Sequence, residues 1–191
     1  MIEHTAWLGA DYKFGIKNQR VAIVGYSHWG GESEEDTAEG TRECMNRVIS
    51  GEWKILFFTQ IRNYFGYKDH ERFWRSVMFF NFLPDCVGGP SQRFNNGTQE
   101  QIACGQERFL RLIREQQPEK AFIFTGRHWV FPKTYAAQQQ LGPNFPRFSL
   151  GQYRVCDHTV KAFFLRHPQG ANGDLLRGAV SYAIDLQVSI D

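Results

Sequence analysis

Apolar positions along the chain gather into short unbroken runs, separated by longer stretches with helical spacing. Four runs, Val21–Gly25, Val77–Asn81, 121–125 and 162–166, have the length and continuity of strands covered on both faces. After the first run, residues 37–50 fit a helix stopped by Gly51, and 55–65 fit a second. After the second run, Thr98 and Gln101 stand at capping-box spacing. They open a helix whose apolar stripe is Ile102, Phe109, Leu110 and Ile113, and Pro118 ends it. The last segment puts Leu175, Leu176, Ala179, Val180, Ala183, Ile184 and Val188 on one helical face, with Asp174 as the expected N-cap. Strands alternating with helices predict right-handed crossovers. The expected fold is therefore α/β, a three-layer α/β/α sandwich with a short central four-stranded parallel sheet, in a single domain over residues 1–191.

Composition narrows the setting. No run of eighteen apolar residues occurs, and the opening MIEHTAWLGADYKFG lacks a basic region followed by an apolar one. A cytoplasmic monomer without a membrane partner is expected. Cys44, Cys86, Cys104 and Cys156 show neither disulfide-framework nor paired zinc-ligand spacing, so reduced thiols are expected. Residues 1–100 carry 11 Lys and Arg against 13 Asp and Glu, whereas residues 101–191 carry 11 against 7. The second half is thus the basic one and permits phosphate contacts.

In an open parallel sheet, ligands bind outside the carboxyl ends of the strands. Here those ends read Gly25-Tyr26-Ser27-His28-Trp29-Gly30-Gly31, Asn81-Phe82, Gly126-Arg127-His128-Trp129 and His167-Pro168-Gln169-Gly170. Turn formation alone does not require three histidines, an amide and two tryptophans among the strand ends, so the clustering points to a functional cleft. The segments 84–97 and 142–147, rich in Gly, Pro and Asn, read as long loops beside it. A serine hydrolase built on Ser27 with His28, His158 or His167 lacks the glycine-flanked nucleophile elbow. Metal hydrolysis through His28, His128, His158 and His167 lacks helical His-x-x-x-His spacing, and no metal or cofactor is expected.

The same residues resemble the uracil-DNA glycosylase superfamily over most of the chain. GYSHWGG stands where that superfamily has its water-activating loop and is similar to a GESHYG-like branch. Asn81 matches the asparagine that reads the flipped base. The run NNGTQEQIACGQERFLRLIREQQPEKAFIFTG resembles the iron–sulfur branch, and His167-Pro168-Gln169 stands where the superfamily has His-Pro-Ser. The resemblance implies a monofunctional DNA N-glycosylase that flips a base out and hydrolyses its glycosidic bond, leaving an abasic site, with DNA as partner. On it, Tyr26, His28, Trp29, Phe58 and Asn81 would form the base pocket, with Phe58 or Trp29 stacking. His167 would stabilise the departing base, and Arg127, His128, Gln169, Gly170 and Asn172 would contact phosphate or groove.

Two departures shape the expectation. Tyr26 and Ser27 occupy the positions where branches of the superfamily place the catalytic acid. Water positioning then falls to Glu32, Glu34, Glu35 or Asp36, Asp36 foremost, or catalysis proceeds without an acid. The same four carboxylates also read as a solvated acidic helix start near Thr37. Cys86 and Cys104 stand where the iron–sulfur branch has two cluster ligands, but the amino-terminal pair is absent, so free thiols are expected. The altered loop leaves the target open between uracil and a modified cytosine, as in an antiphage glycosylase. A catalytically silent DNA-binding protein of the same fold is the remaining alternative.

Overall fold

The computed structural model describes residues 2–28, 36–87 and 96–186. The strands expected at Val21–Gly25 (β2) and Val77–Asn81 (β3) form at those bounds, beside Lys120–Phe124 (β4) and His158–Leu165 (β7). These four make the parallel heart of the sheet, in the order β3-β2-β4-β7. Among the described residues the sheet has seven strands. Trp7–Leu8 (β1) pairs antiparallel with β3, Ser149–Val155 (β6) pairs antiparallel with β7, and Gln139–Gln140 (β5) closes the far edge on β6. The β6–β7 hairpin turns on only two residues, Cys156 and Asp157, with Cys156 at φ 53°. Such turns usually carry Gly or Asn, so this hairpin left no turn signal in the sequence.

Helices cover both faces. Val21 and Ile23 point into a core shared with Gly40–Ser50 (α1), Leu56–Tyr64 (α2), His70–Trp74 (α3) and Gly173–Asp185 (α5). Ala22 and Val24 point the other way, against Phe109, Leu112 and Ile113 of Gln99–Gln116 (α4). This alternation makes the molecule an α/β sandwich with the sheet in the middle. The capping box at Thr98 and Gln101 is present. Helix α4 approaches the sheet closely at Gly105, where a Cβ would meet the Phe82 carbonyl at 2.9 Å. Helix α5 begins two residues earlier than expected: Asn172 is its N-cap, its side-chain oxygen accepting from the Asp174 and Leu175 amides, each at 3.0 Å. Asp174 lies inside the first turn and pairs with Arg177. Among the described residues no helix is long and apolar enough to cross a membrane.

Candidate active site

The carboxyl ends of β2, β3 and β7 open into a cleft of about 1130 Å³. Its floor is set by the register of β2 and β3, which pairs Gly25 with Asn81. The two chains stay together beyond the strands, through Phe82 N to Gly25 O, Leu83 N to Tyr26 O and Val87 N to His28 O. Ser27 and His28 are thereby held at the rim. Asn81 lies across the end of β2, so close that a Cβ on Gly25 would sit 2.1 Å from its Oδ1. Glycine is required there by this approach. Among the described residues no hydrogen bond engages the Asn81 carboxamide, while its backbone carbonyl accepts from Arg108.

Arg108 is buried in α4 and joins two distant segments, since its guanidinium also donates to the His4 carbonyl at 2.5 Å. His4 N donates in turn to Pro84 O at 2.7 Å. His4 is 2% exposed, and its Nε2 hydrogen-bonds to Asp36. The Asp36 carboxylate also accepts from Cys86 N at 3.2 Å and Cys86 Sγ at 3.3 Å. Burial would raise the Asp36 pKa, but these donors outweigh it and hold the carboxyl below its usual range. Asp36 is therefore an anion lodged in the cleft wall rather than part of a solvated helix start. Helix α1 begins later, with Glu39 as N-cap and no side-chain cap. His4, Asp36 and Cys86 are the group among the described residues whose side chains could converge on a metal, with ligand atoms within 4.8 Å of one another. In this structure Asp36 accepts from both His4 Nε2 and Cys86 Sγ, while His4 Nδ1 is buried without a hydrogen-bond partner among the described residues. Cys104, half-buried on α4, is not among them.

The opposite wall is aromatic. Phe57 and His167 stack with ring centroids 5.2 Å apart and 28° between planes. Residues 57 and 58 point about 100° apart on a helix. Phe58 lines the cleft but packs its ring on the core, edge-on to Trp74 and Phe79, while Phe57 presents the stacking surface beside His167. His167 Nδ1 accepts from Gln169 N at 3.1 Å, which leaves the proton of the neutral ring on Nε2. Burial, with Arg127 nearby, lowers its pKa and favours that neutral form.

The other expected residues divide. Tyr26 and Arg127 line the cleft and hold one another: the guanidinium lies 4.6 Å over the ring, and Arg127 Nε donates to Asn96 Oδ1 at 2.6 Å. The Tyr26 hydroxyl is committed to the Asn96 carbonyl, and its ring stacks on Phe82. His28 bonds Thr41 at 3.0 Å and stays neutral, its pKa pushed down to about 3 by burial, with His4 and Arg108 adding to the effect. His128 turns inward to Leu165 O at 2.7 Å and packs on Phe164, and Asn172 gives its side-chain oxygen to α5. Gln169 lines the cleft, and Gly170 makes the following turn at φ 78°. His158 bonds Pro118 O at 2.6 Å. Ser27 lines the cleft, but the ring partners named for His28, His128, His158 and His167 do not include it, so no Ser–His pair forms among the described residues. Trp29, Glu32, Glu34 and Glu35, and most of the 84–97 loop, lie outside the described residues.

Sequence reasoning did not single out His4, Phe57 or Arg108. A histidine 32 residues from its carboxylate partner has no local spacing that announces it. Phe57 was separable from Phe58 only by the phase of α2. Compared with known proteins, the chain matches no family model and no curated protein.

Proposed function

We propose that this protein is a monofunctional DNA N-glycosylase acting on uracil or a modified pyrimidine. The observation that carries the reading is the convergence, on one cleft, of the Asn81 carboxamide, the Phe57–His167 stack and the Asp36 carboxylate. A flipped base stacks against the aromatic wall, and Asn81 presents a donor and an acceptor side by side to its edge. As the glycosidic bond lengthens, negative charge grows on the base. The Nε2–H of neutral His167 is a hydrogen-bond donor for that charge, without proton transfer to the base. The Asp36 carboxylate stabilises the cation developing on the sugar and orients the attacking water. Arg127 at the mouth provides a phosphate contact.

A modified base is the alternative target to uracil. About 1130 Å³ exceeds the roughly 300–1000 Å³ of ordinary ligand sites, leaving room for the added group of hydroxymethylated or glucosylated cytosine, as in an antiphage role.

The test is to incubate the protein with uracil-containing DNA and with hydroxymethylated or glucosylated phage DNA, then quantify alkali-labile abasic sites. His167→Ala should abolish their formation while leaving DNA affinity largely intact, because a transition-state contact acts on rate rather than ground-state binding. DNA binding with no abasic sites on any substrate would overturn the enzymatic reading in favour of a silent DNA-binding protein.

A further inference from the structure

Beyond the cleft, the chain that leaves Arg127 makes a short helical turn over His128–Val130 and then runs to Tyr135 beside β6. Two aromatic side chains on it stand in solvent, Trp129 at 69% and Tyr135 at 67% exposure. Stable folding gives neither a reason to be there, since their neighbours Val130 and Phe131 supply the buried contacts. The segment is tied down by backbone partners: Gln106 Nε2 donates to Val130 O at 2.7 Å, Tyr153 Oη to Pro132 O at 2.9 Å, and Tyr135 N to Gln152 O at 2.7 Å. The aromatics are thus presented on a fixed support. Arg154 covers one face of Tyr135, its guanidinium 4.9 Å from the ring centroid.

Charge selects the occupant. Residues 120–156 contain no Asp or Glu, but contain Lys120, Arg127, Lys133, Arg147 and Arg154. Lys120 is buried, donating to the Ala183 and Ile184 carbonyls at the end of α5. The others lie at least partly in solvent, with Arg127, Lys133 and Arg154 flanking the two aromatics in the chain or in space. Exposed rings interleaved with cations, on a stretch of chain without carboxylates, match a chain of unpaired bases on a phosphate backbone. A duplex conceals its base faces, so it cannot use such rings without unstacking.

We infer that Trp129 and Tyr135, with Lys133 and Arg154, form a stacking platform for single-stranded DNA continuous with the mouth of the cleft. It rests on the proposed function only for its direction, namely that the strand delivering a base to the cleft passes over it. The preferred substrate is then single-stranded or locally opened DNA.

The experiment measures binding by fluorescence anisotropy, using labelled oligothymidylate and a fully paired hairpin of undamaged sequence, so that no excision enters the readout. Oligothymidylate should bind more tightly than the hairpin, and Trp129→Ala and Tyr135→Ala should each weaken it roughly 5- to 150-fold. Hairpin binding should change little. Both side chains are exposed, so the variants should keep the wild-type thermal transition, which is checked first. Unchanged oligothymidylate binding by the double variant overturns the platform, as does tighter binding of the hairpin. Tighter binding of oligouridylate overturns the assignment to DNA. Abasic sites formed on single-stranded substrate by the double variant at the wild-type rate would leave the glycosylase reading standing and remove the platform. Loss of oligothymidylate binding in a protein that forms no abasic sites would do the reverse.

Discussion

Replacing Gly25 with alanine isolates the contact on which the floor of the cleft depends. The added Cβ would lie 2.1 Å from Asn81 Oδ1 and 3.3 Å from its Cγ, with Phe57 at an ordinary 3.6 Å. Carbon and oxygen need well over 3 Å, so Asn81 must move by about 1 Å or more. Moving a side chain off its rotamer costs about 0.5–1.5 kcal/mol, and overpacking a rigid site about 1–3 kcal/mol. Gly25 does not have positive φ, so alanine is otherwise welcome in a strand and stabilises by about 0.4–1 kcal/mol through the unfolded chain. The two effects oppose each other, and a double-mutant cycle separates them. In wild type, Gly25→Ala should lower the unfolding free energy by about 0.5–2 kcal/mol. In an Asn81→Ala background the clash is gone, and the same change should be neutral or stabilising. Urea denaturation of the four proteins gives a coupling energy of about 1–2 kcal/mol. A coupling below about 0.3 kcal/mol would refute the contact, and with it the claim that glycine is required by the position of the Asn81 carboxamide.

Arg108→Met should cost about 2–5 kcal/mol in denaturant unfolding, because it leaves the Asn81 and His4 carbonyls without their donor; a loss under about 1 kcal/mol would contradict that role. His28 titrates near 3 when folded and near 6.5 when unfolded, so between those values only the unfolded chain holds the proton. Its contribution is complete above about pH 6.5 and is lost as the pH falls, by up to about 1.4 kcal/mol per unit. His28→Gln should flatten this acid limb, and an equally steep limb in the variant would sink the assignment. Asn172→Ala should destabilise by about 1 kcal/mol through loss of the α5 cap, more than Asp174→Ala, whose carboxylate lies in the first turn. The opposite order would restore Asp174 as the cap.

The central strands and major helices were legible because their signals are local. Residues 21–25 and 77–81 are continuous apolar runs, and Thr98 with Gln101 is a pair three positions apart. The edge strands were not, for identifiable reasons. Strands β1 and β5 have two residues each, too few for any periodicity. Strand β6, with sequence SLGQYRV, mixes Gly and polar residues with its apolar positions and joins β7 through Cys156 in place of a turn former. The expected cap of α5 went to Asp174 because Asn172 and Asp174 are both competent caps at neighbouring positions, and only the backbone direction at Gly173 decides between them.

The candidate site divides along the same line. Strand ends are where topology places chemistry, so Asn81, Arg127 and His167 could be named from their positions. The carboxylate could not be located in the same way, because the loop after β2 offers Tyr26 and Ser27 where an acid was looked for. Asp36 lies outside the strand-end motif, and its place is set by His4, 32 residues before it, and Cys86, 50 residues after it. His4 is in turn held by Arg108, 104 residues further on, which also holds the carbonyl of Asn81. One buried guanidinium thus joins the segment that orients the anion to the strand that carries the amide. The two polar groups of the cleft are mechanically linked through α4, although no local spacing connects them. A change on α4, away from the cleft, should therefore disturb both together.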